Sequence, residues 1–531
     1  RLPQRRNRGL IKRTNQPERL SRILDTAQGL RAIAVLMVVA FHAGLPVPGG
    51  FVGVDVFFVI SGFVITAMLY REWHSTSGIR FARFYMRRFK RLTPALALMV
   101  AVTMIITALT LSPLGPQQNA AATAVGAMLI SANFVIARAT GGYFSAPAEF
   151  NPLLNTWSLS VEEQFYLAFP ALLALGWLLA RRNGLLRLSP MVMVAGVTVA
   201  SFGLALASSQ GATFGGSGII LGFYSPFTRA WEFAVGAPLA LALAQRTIQA
   251  RRLLTLSGVI GAAMLTASLW LITDSTPFPG PWTLVPVLGT AFLILAGTDR
   301  KVGSSRALST KPLATVGDWS YSIYLWHWPF IVFAGLLWPE FGHAPVVAAL
   351  ISLAPALLSF YYVEQPLRSL RGVGRLKTVL FVVLTVAIPV AIAATVALGA
   401  RLYWQPRAEA VAAQASERPA GYSLGSHFGP DDGNRDPEPC RWNTAGSGPP
   451  VYLLGDSNAA HYTEALIGAA STLDRPLTVT TSSGRPLLDL TMISPSRPGF
   501  DERCTARTER LLDYMDSQEP GVVVLSQFDG Y

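Results

Sequence analysis

The chain is 531 residues long, with 51% hydrophobic and only 14% charged residues, against roughly a quarter charged in an ordinary soluble domain. Those proportions exclude collagen-like, coiled-coil, disordered and small disulfide-framework proteins and point to a polytopic membrane protein. The net charge of +13 is no signature of nucleic-acid binding: residues 401–531 carry 11 basic against 17 acidic side chains, so the positive excess falls in the first 400 residues. There it lies among apolar segments and sets their membrane orientation.

Residues 1–28 form a basic N-terminus with Arg5, Arg6, Arg8, Lys12 and Arg13. A bilayer core needs about 20 apolar residues per helix. Eleven stretches reach or approach that length: 29–48, 51–70, 94–113, 157–180, 190–208, 226–244, 253–273, 282–298, 319–338, 344–363 and 378–400. A twelfth, 119–137, is Ala-rich and contains Asn119 and Asn133. The basic loops decide against it. With the N-terminus cytoplasmic, eleven spans place the basic loops 71–91, 181–187, 246–252, 299–311 and 368–377 inside. The loops 114–156, 209–225, 274–281 and 339–343, almost free of Lys and Arg, then fall outside, as the positive-inside rule requires. Residues 119–137 are therefore expected to form an outer-face or re-entrant element. The expected fold is a polytopic α-helical membrane domain of about ten spans over 29–370, a linking span within 371–400, and an exported tail.

In the tail, residues 401–449 are rich in Ala, Pro, Gly and polar types without a sustained period and read as a linker. Beyond 450 the pattern turns α/β. A strand at Val451–Leu454 leads into Gly455-Asp456-Ser457 and a helix over Asn458–Ala470. A strand at Leu477–Thr481 runs towards Gly484, and a helix over Arg503–Ser517 precedes a strand at Val522–Leu525. Alternating strands and helices predict a parallel sheet, with ligands beyond the carboxyl ends of the strands, where Ser457, Gly484 and Gln527 fall. Cys440 and Cys504, the only cysteines, are candidates for a disulfide in an oxidising compartment, with two free buried thiols as the alternative. The chain opens on Arg1 rather than Met and closes on Tyr531 just after a strand pattern, so both ends are read as interior to a longer sequence.

Ionisable groups inside spans are costly and mark function by default. Arg31 and His42 are eleven positions apart on the first span, hence on one helix face and separated by roughly 16 Å. Asp55, Glu162, Glu163, Arg229 and Glu232 lie within two turns of the outer ends of their spans and His327 near mid-span. Their convergence predicts an outer-half pocket able to run acid/base chemistry, unless the groups pair only to hold helices together. Arg87, Arg88 and Arg91 form a cytoplasmic cluster that either orients helices or binds an anion.

Several stretches resemble the integral-membrane acyltransferase-3 family. These are Leu30-Arg31 to Phe41-His42, an Arg and a His with ten residues between them; Arg88-Phe89-Lys90-Arg91; the run Thr156 to Tyr166 containing Glu162-Glu163; Ser320-Tyr321-Ser322 with Tyr324-Leu325-Trp326-His327; and Val363-Glu364-Gln365-Pro366-Leu367-Arg368. The tail resembles the SGNH hydrolase-like domain fused to many members. The resemblance implies transfer of an acyl group, usually acetyl, from cytoplasmic acyl-CoA to a hydroxyl of an extracytoplasmic glycan or glycolipid, in the bacterial plasma membrane, with no metal and no nucleic acid. It implies Arg31, Arg88 and Arg91 at the donor, His42 as the reacting imidazole, either general base or acyl carrier, and Glu162 or Glu163 orienting its ring. Asp55, Arg229 and His327 support the pocket. In the tail it implies Ser457 as nucleophile and Gly484 as oxyanion donor.

Two departures from the SGNH pattern stand out. Gln527 occupies the place of an Asn, and no Asp-x-x-His follows Ser457, so the tail is expected to be an incomplete SGNH-like domain, with His461 an ordinary helix residue. A transporter or flippase of an envelope precursor, running a buried proton relay, and a tail acting as an esterase are the alternative readings.

Overall fold

The computed structural model describes residues 7–139, 148–182, 189–212, 220–246, 248, 250–370, 374–415, 427–428, 440–483 and 500–527. They divide into two compact units, Arg1–Gln405 and Pro406–Tyr531.

The first unit is helical. Its elements are α1 (Asn7–His42), α2 (Gly53–Thr76), α3 (Phe81–Thr110), α4 (Pro116–Met128), α5 (Ala132–Ala139), α6 (Thr156–Arg182), α7 (Ser189–Ser209), α8 (Pro226–Gln245) and α9 (Arg251–Leu271). They continue with α10 (Leu284–Ala296), α11 (Gly303–Leu308), α12 (Lys311–Leu337), α13 (Ala344–Ile351), α14 (Leu353–Ser359), α15 (Gln365–Ser369) and α16 (Arg375–Gly399). Among the described residues eight helical stretches are long and apolar enough to cross a membrane: Ile23–His42, Gly50–Thr76, Phe81–Thr110, Thr156–Arg181, Pro190–Ser209, Arg251–Leu271, Ala344–Ser369 and Arg375–Ala412. At the other three expected spans stand α8 and α12, which are long enough but carry buried polar side chains, and the shorter apolar helix Pro281–Ala296.

Close backbone approach sets the centre of the bundle. α2 lies against α8, and a Cβ added at Gly62 would meet the Phe233 carbonyl oxygen at 1.9 Å, while one at Gly236 would meet that of Val59 at 2.2 Å. Only glycine lets the two backbones come this near, the usual device where helices cross in a membrane. The stretch 119–137 breaks into α4 and α5, 13 and 8 residues long, far short of a bilayer crossing. The break is held by polar contacts: Ile130 has a positive φ of 59°, Gln164 donates to the Ile130 carbonyl at 2.7 Å and to Asn133 Oδ1 at 2.8 Å, and the Ala132 N–H donates to Ser160 Oγ.

The second unit contains a sheet of five strands, β1 (His427–Phe428), β2 (Cys440–Trp442), β3 (Val451–Gly455), β4 (Leu477–Ser482) and β5 (Val522–Ser526). The order is β1-β4-β3-β5, parallel throughout, with β2 antiparallel on β4. Alternate residues of β3 face opposite layers: Val451 and Leu453 pack with Ala470, whereas Tyr452 and Leu454 pack with Leu511. The helices Thr463–Thr472 and Phe500–Asp516 thus cover the two faces. β5 leaves the sheet open at its edge, with Val522 and Val523 about half exposed. Gly455 has φ +143°, and a Cβ there would lie 1.8 Å from the Ser526 carbonyl oxygen, so the end of β3 requires glycine.

The linker reading of 401–449 is corrected here. Helical residues continue past α16 to Ala415, and β1 and β2 join the sheet from within that segment. Strands of two and three residues are too short to show a period in the sequence.

Candidate active site

α1 brings His42 to the wall of a cavity of about 790 Å³, which Asp55, Trp157, Tyr224, Arg229 and Trp328 also line. The His42 ring is fixed from one side by α12. Its Nδ1 lies 2.9 Å from His327 Nε2, the two rings are nearly parallel, at 9°, and Trp328 meets His42 edge-on at 4.6 Å. His327 is fully buried, and its Nδ1 is 3.2 Å from the Ile323 carbonyl oxygen.

The start of α6 holds α12 in this position. Asn155 donates to the Tyr324 carbonyl at 2.8 Å, the Tyr324 hydroxyl meets Ser158 Oγ at 2.7 Å, and Trp328 Nε1 donates to the Asn151 carbonyl at 2.9 Å. At the cavity rim, burial and the nearby Glu149 carboxylate push the Tyr224 phenol above its ordinary range.

Asp55 and Arg229 share this cavity with His42, and Glu232 joins them in one buried ion cluster. Arg229 Nη1 donates to Asp55 Oδ1 at 2.8 Å and to Glu232 Oε1 at 3.1 Å, and its Nε donates to the Phe223 carbonyl at 3.2 Å. The guanidinium is at most 1% exposed, as are both carboxylates. Phe223 and Phe278 flank it at 4.7 and 4.9 Å.

The arginine end is built separately. Arg88 reaches Glu162 at 3.8 Å and Glu163 at 3.9 Å and stacks over the Tyr166 ring at 3.6 Å. Glu162 accepts from Ser61 Oγ at 2.5 Å and from the Tyr166 hydroxyl. Arg91 has Arg31, Arg88 and Arg368 as like-charged neighbours and Glu364 as the opposite charge, and Glu364 accepts from Ser322 Oγ. The Nε atoms of Arg31, Arg88 and Arg91 are buried without a hydrogen-bond partner, donors that suit a bound anion.

A narrow void of about 30 Å³ leads from this end, lined by Arg31, Phe57, Glu162 and Tyr321 and sharing Val54 and Tyr324 with the His42 cavity. The two spaces thus adjoin across Val54 and Tyr324, beside the hydroxyl that Ser158 holds.

Two expectations about this site are corrected. Glu162 and Glu163 neither line the His42 cavity nor orient its ring: their carboxylates serve Arg88, Ser61 and Tyr166, and the group against His42 is His327. Of the residues expected to share a pocket, Asp55, Arg229 and His42 line this cavity, whereas Glu162 and Glu163 go to the arginine end. Counting turns from helix ends gives depth and not azimuth, and azimuth decides which neighbour a side chain meets. Ser61, Tyr166, Glu364 and Tyr324 were not singled out from sequence, although three of them lie inside the quoted motifs.

In the second unit Ser457 follows the end of β3 and starts a short helix, with Asp456 Oδ1 accepting from the Asn458 N–H at 2.7 Å. β3 and β5 are in register at Gly455 and Ser526, so Gln527 follows the neighbouring strand at the same sheet end. Gly484 and the side chains of Cys440 and Cys504 lie outside the described residues. His461 is exposed just past the short helix. His427, with no role assigned from sequence, bridges Thr481 Oγ1 at 2.9 Å and Ser483 Oγ at 2.8 Å. Among the described residues no group of three or more His, Cys, Asp and Glu side chains is placed to hold a metal ion.

A multi-span bundle that sets an arginine cluster beside a void adjoining an imidazole-lined cavity, followed by an open parallel α/β sheet with Gly-Asp-Ser at a strand end, defines a membrane acyltransferase architecture with a fused SGNH-type domain. Residues 25–394 match the family described as Acyltransferase domain, and residues 426–531 match the SGNH domain fused to such domains; the chain belongs to this acyltransferase-3 family. It is similar to the peptidoglycan O-acetyltransferase OatA of Listeria monocytogenes, 30% identical over 380 residues, covering 67% of this chain and 57% of that protein. It is likewise similar to the O-acetyltransferase OatA of Staphylococcus aureus, at 31% over 367 residues with 65% and 57% covered. The putative peptidoglycan O-acetyltransferase YrhL of Bacillus subtilis is 28% identical over 361 residues, with 66% and 55% covered. The matches thus span little more than half the length of these curated relatives. No solved structure matches the chain.

Proposed function

We propose that this protein moves an acyl group, most simply acetyl, from acyl-CoA at the arginine end, by the action of His42, to a hydroxyl of an extracytoplasmic glycan. The observation that carries this reading is that the Arg31-lined void and the His42 cavity share Val54 and Tyr324 as lining, a wall read as the neck between them. In the bacterial plasma membrane, with the N-terminus cytoplasmic, the arginine end faces the cytoplasm. Arg31 and Arg91 hold the phosphates of the nucleotide, whose charge never crosses the bilayer, while the neutral pantetheine arm extends towards His42.

Arg88 is engaged by two carboxylates, so its part is to hold the mouth together rather than to grip the donor. The neck has room for about one water, and the arm passes only when Tyr324 swings away from Ser158. That motion breaks the contacts of the hydroxyl with Ser158 and with the Asn155 carbonyl, at about 1 kcal/mol each.

His42 then acts as base or carrier. The cavity suits a sugar: Trp157, Tyr224, Phe278 and Trp328 offer aromatic walls, while Glu149 and Asp274 add negative charge. Among the described residues the one cation in its lining, Arg229, is already engaged by Asp55 and Glu232, which disfavours an anionic acceptor. The names of the relatives, peptidoglycan O-acetyltransferases among them, favour a cell-wall glycan as the final acceptor, with Ser457 relaying the group.

The test is steady-state transfer from radiolabelled acetyl-CoA by protein reconstituted in bilayers. Arg31→Ala and Arg91→Ala are expected to raise KM for acetyl-CoA at least tenfold, the loss of about 1.4 kcal/mol of binding each, with kcat little changed. Unchanged KM in both variants would remove the donor from this end.

A further inference from the structure

We propose that His327 is the positioning residue of the reaction, fixing the tautomer of His42 so that its Nε2 lone pair faces the cavity. The inference rests on the acyl-transfer reading and adds to it the group that orients the imidazole, a part first expected of Glu162 or Glu163.

The argument runs inward from the backbone. A carbonyl oxygen only accepts, so the contact between His327 Nδ1 and the Ile323 carbonyl requires the proton on Nδ1. In a neutral ring Nε2 is then a pure acceptor. His42 Nδ1 lies 2.9 Å from it and must be the donor. That leaves His42 Nε2 without a proton, and among the described residues it has no protein partner, on a ring that lines the cavity.

The chain of carbonyl, imidazole and imidazole does the work an Asp does for the His of a hydrolase, which is to hold tautomer and orientation, but with no net charge. Neutrality matters where this pair sits. A buried unpaired carboxylate is strongly penalised in a membrane interior, and Asp55, a fully buried carboxylate of the cavity lining, is engaged by Arg229.

In the reaction the acceptor hydroxyl oxygen forms its bond to the thioester carbonyl carbon as its proton passes to His42 Nε2. The Nδ1 proton of the resulting imidazolium remains shared with His327 Nε2. The tetrahedral intermediate then breaks its carbon–sulfur bond, and the departing thiolate takes the proton back from Nε2, which restores both rings.

The tautomer is measurable without turnover. The chain has six histidines, and nitrogen-15 spectra of histidine-labelled protein in bilayers separate Nδ1–H from Nε2–H rings, with His42 assigned from His42→Gln. The expected result is an Nδ1–H tautomer for His42 in the wild type. It should survive in His327→Gln, whose side-chain oxygen still accepts, and give way to Nε2–H in His327→Met.

In the same preparations His327→Met should lower kcat at least about tenfold with KM for acetyl-CoA unchanged, and His327→Gln should recover most of the rate. A wild-type His42 carrying its proton on Nε2 overturns the proposal whether or not transfer is seen, and so does an unchanged tautomer in His327→Met. If His327→Met does not fold, the wild-type and His327→Gln spectra decide. Correct tautomers with no acetyl transfer by the wild type would instead count against the acyl-transfer reading alone.

Discussion

His42→Ala is expected to abolish acyl transfer while leaving the bundle folded. Among the described residues the ring makes one side-chain hydrogen bond, to His327, and packs against Trp328 and Phe41, but it also lines a cavity of about 790 Å³, so its removal enlarges a space already present. The chemistry has no substitute at hand. The buried acidic side chain of the cavity lining, Asp55, is held by Arg229, and Glu162 is occupied by Ser61 and Tyr166. A positioned base contributes about 10²- to 10⁴-fold to such a step, and if the imidazole also carries the acyl group the loss is larger. Transfer from labelled acetyl-CoA should therefore fall at least about 100-fold, with the melting temperature in detergent and KM for the donor unchanged. Residual activity near that of the wild type would show that some other group reacts.

Arg229→Ala should have the second large effect, on folding rather than on chemistry. One guanidinium satisfies two carboxylates and a backbone carbonyl in a space at most 1% exposed. Its removal leaves Asp55 and Glu232 facing each other with no counter-charge, and loss of one partner from a buried ion pair costs ~3–5 kcal/mol. Little folded protein, or a sharply lowered melting temperature, is the expected result. Arg229→Lys should recover only part of it, because a single ammonium cannot reproduce the planar fork and the bond to Phe223. Replacing all three members by Leu or Met should restore stability, as replacement of buried ion clusters by apolar groups generally does, and leave the cavity without its polar wall. A melting temperature unmoved by Arg229→Ala would mean that the cluster is not a unit.

Much of this was legible in the sequence because membrane proteins restrict what a chain can do. Apolar length and loop charge located eleven helical stretches, eight of which are long and apolar enough to cross a membrane among the described residues, and kept 119–137 from being counted as a twelfth. The eleven-residue spacing of Arg31 and His42 placed both on one helix that the structure carries through from Asn7 to His42. Gly455-Asp456-Ser457 announced a strand end before any sheet was seen. Pairing was not legible. Glu162 and His42 lie at comparable depth by turn counting, yet the face of α6 that carries Glu162 meets Ser61 and Arg88 instead. The role of His327 was hidden for a different reason: its partner beyond His42 is a backbone carbonyl, and sequence motifs do not record backbone acceptors. The strands β1 and β2 went unread because two or three residues carry no period and take their structure from the neighbouring β4.

The most direct test of the account is sidedness. Sealed vesicles would be prepared with the orientation of the protein fixed by protease access to the tail, radiolabelled acetyl-CoA on one side and soluble peptidoglycan strands on the other. Label should reach the glycan only when acetyl-CoA is on the side of Arg31 and Arg91 and the glycan on the side of Ser457, and not at all with His42→Ala. Equal labelling with donor and glycan both on the Ser457 side would contradict a path that runs from the arginines through the neck at Val54 and Tyr324 to His42.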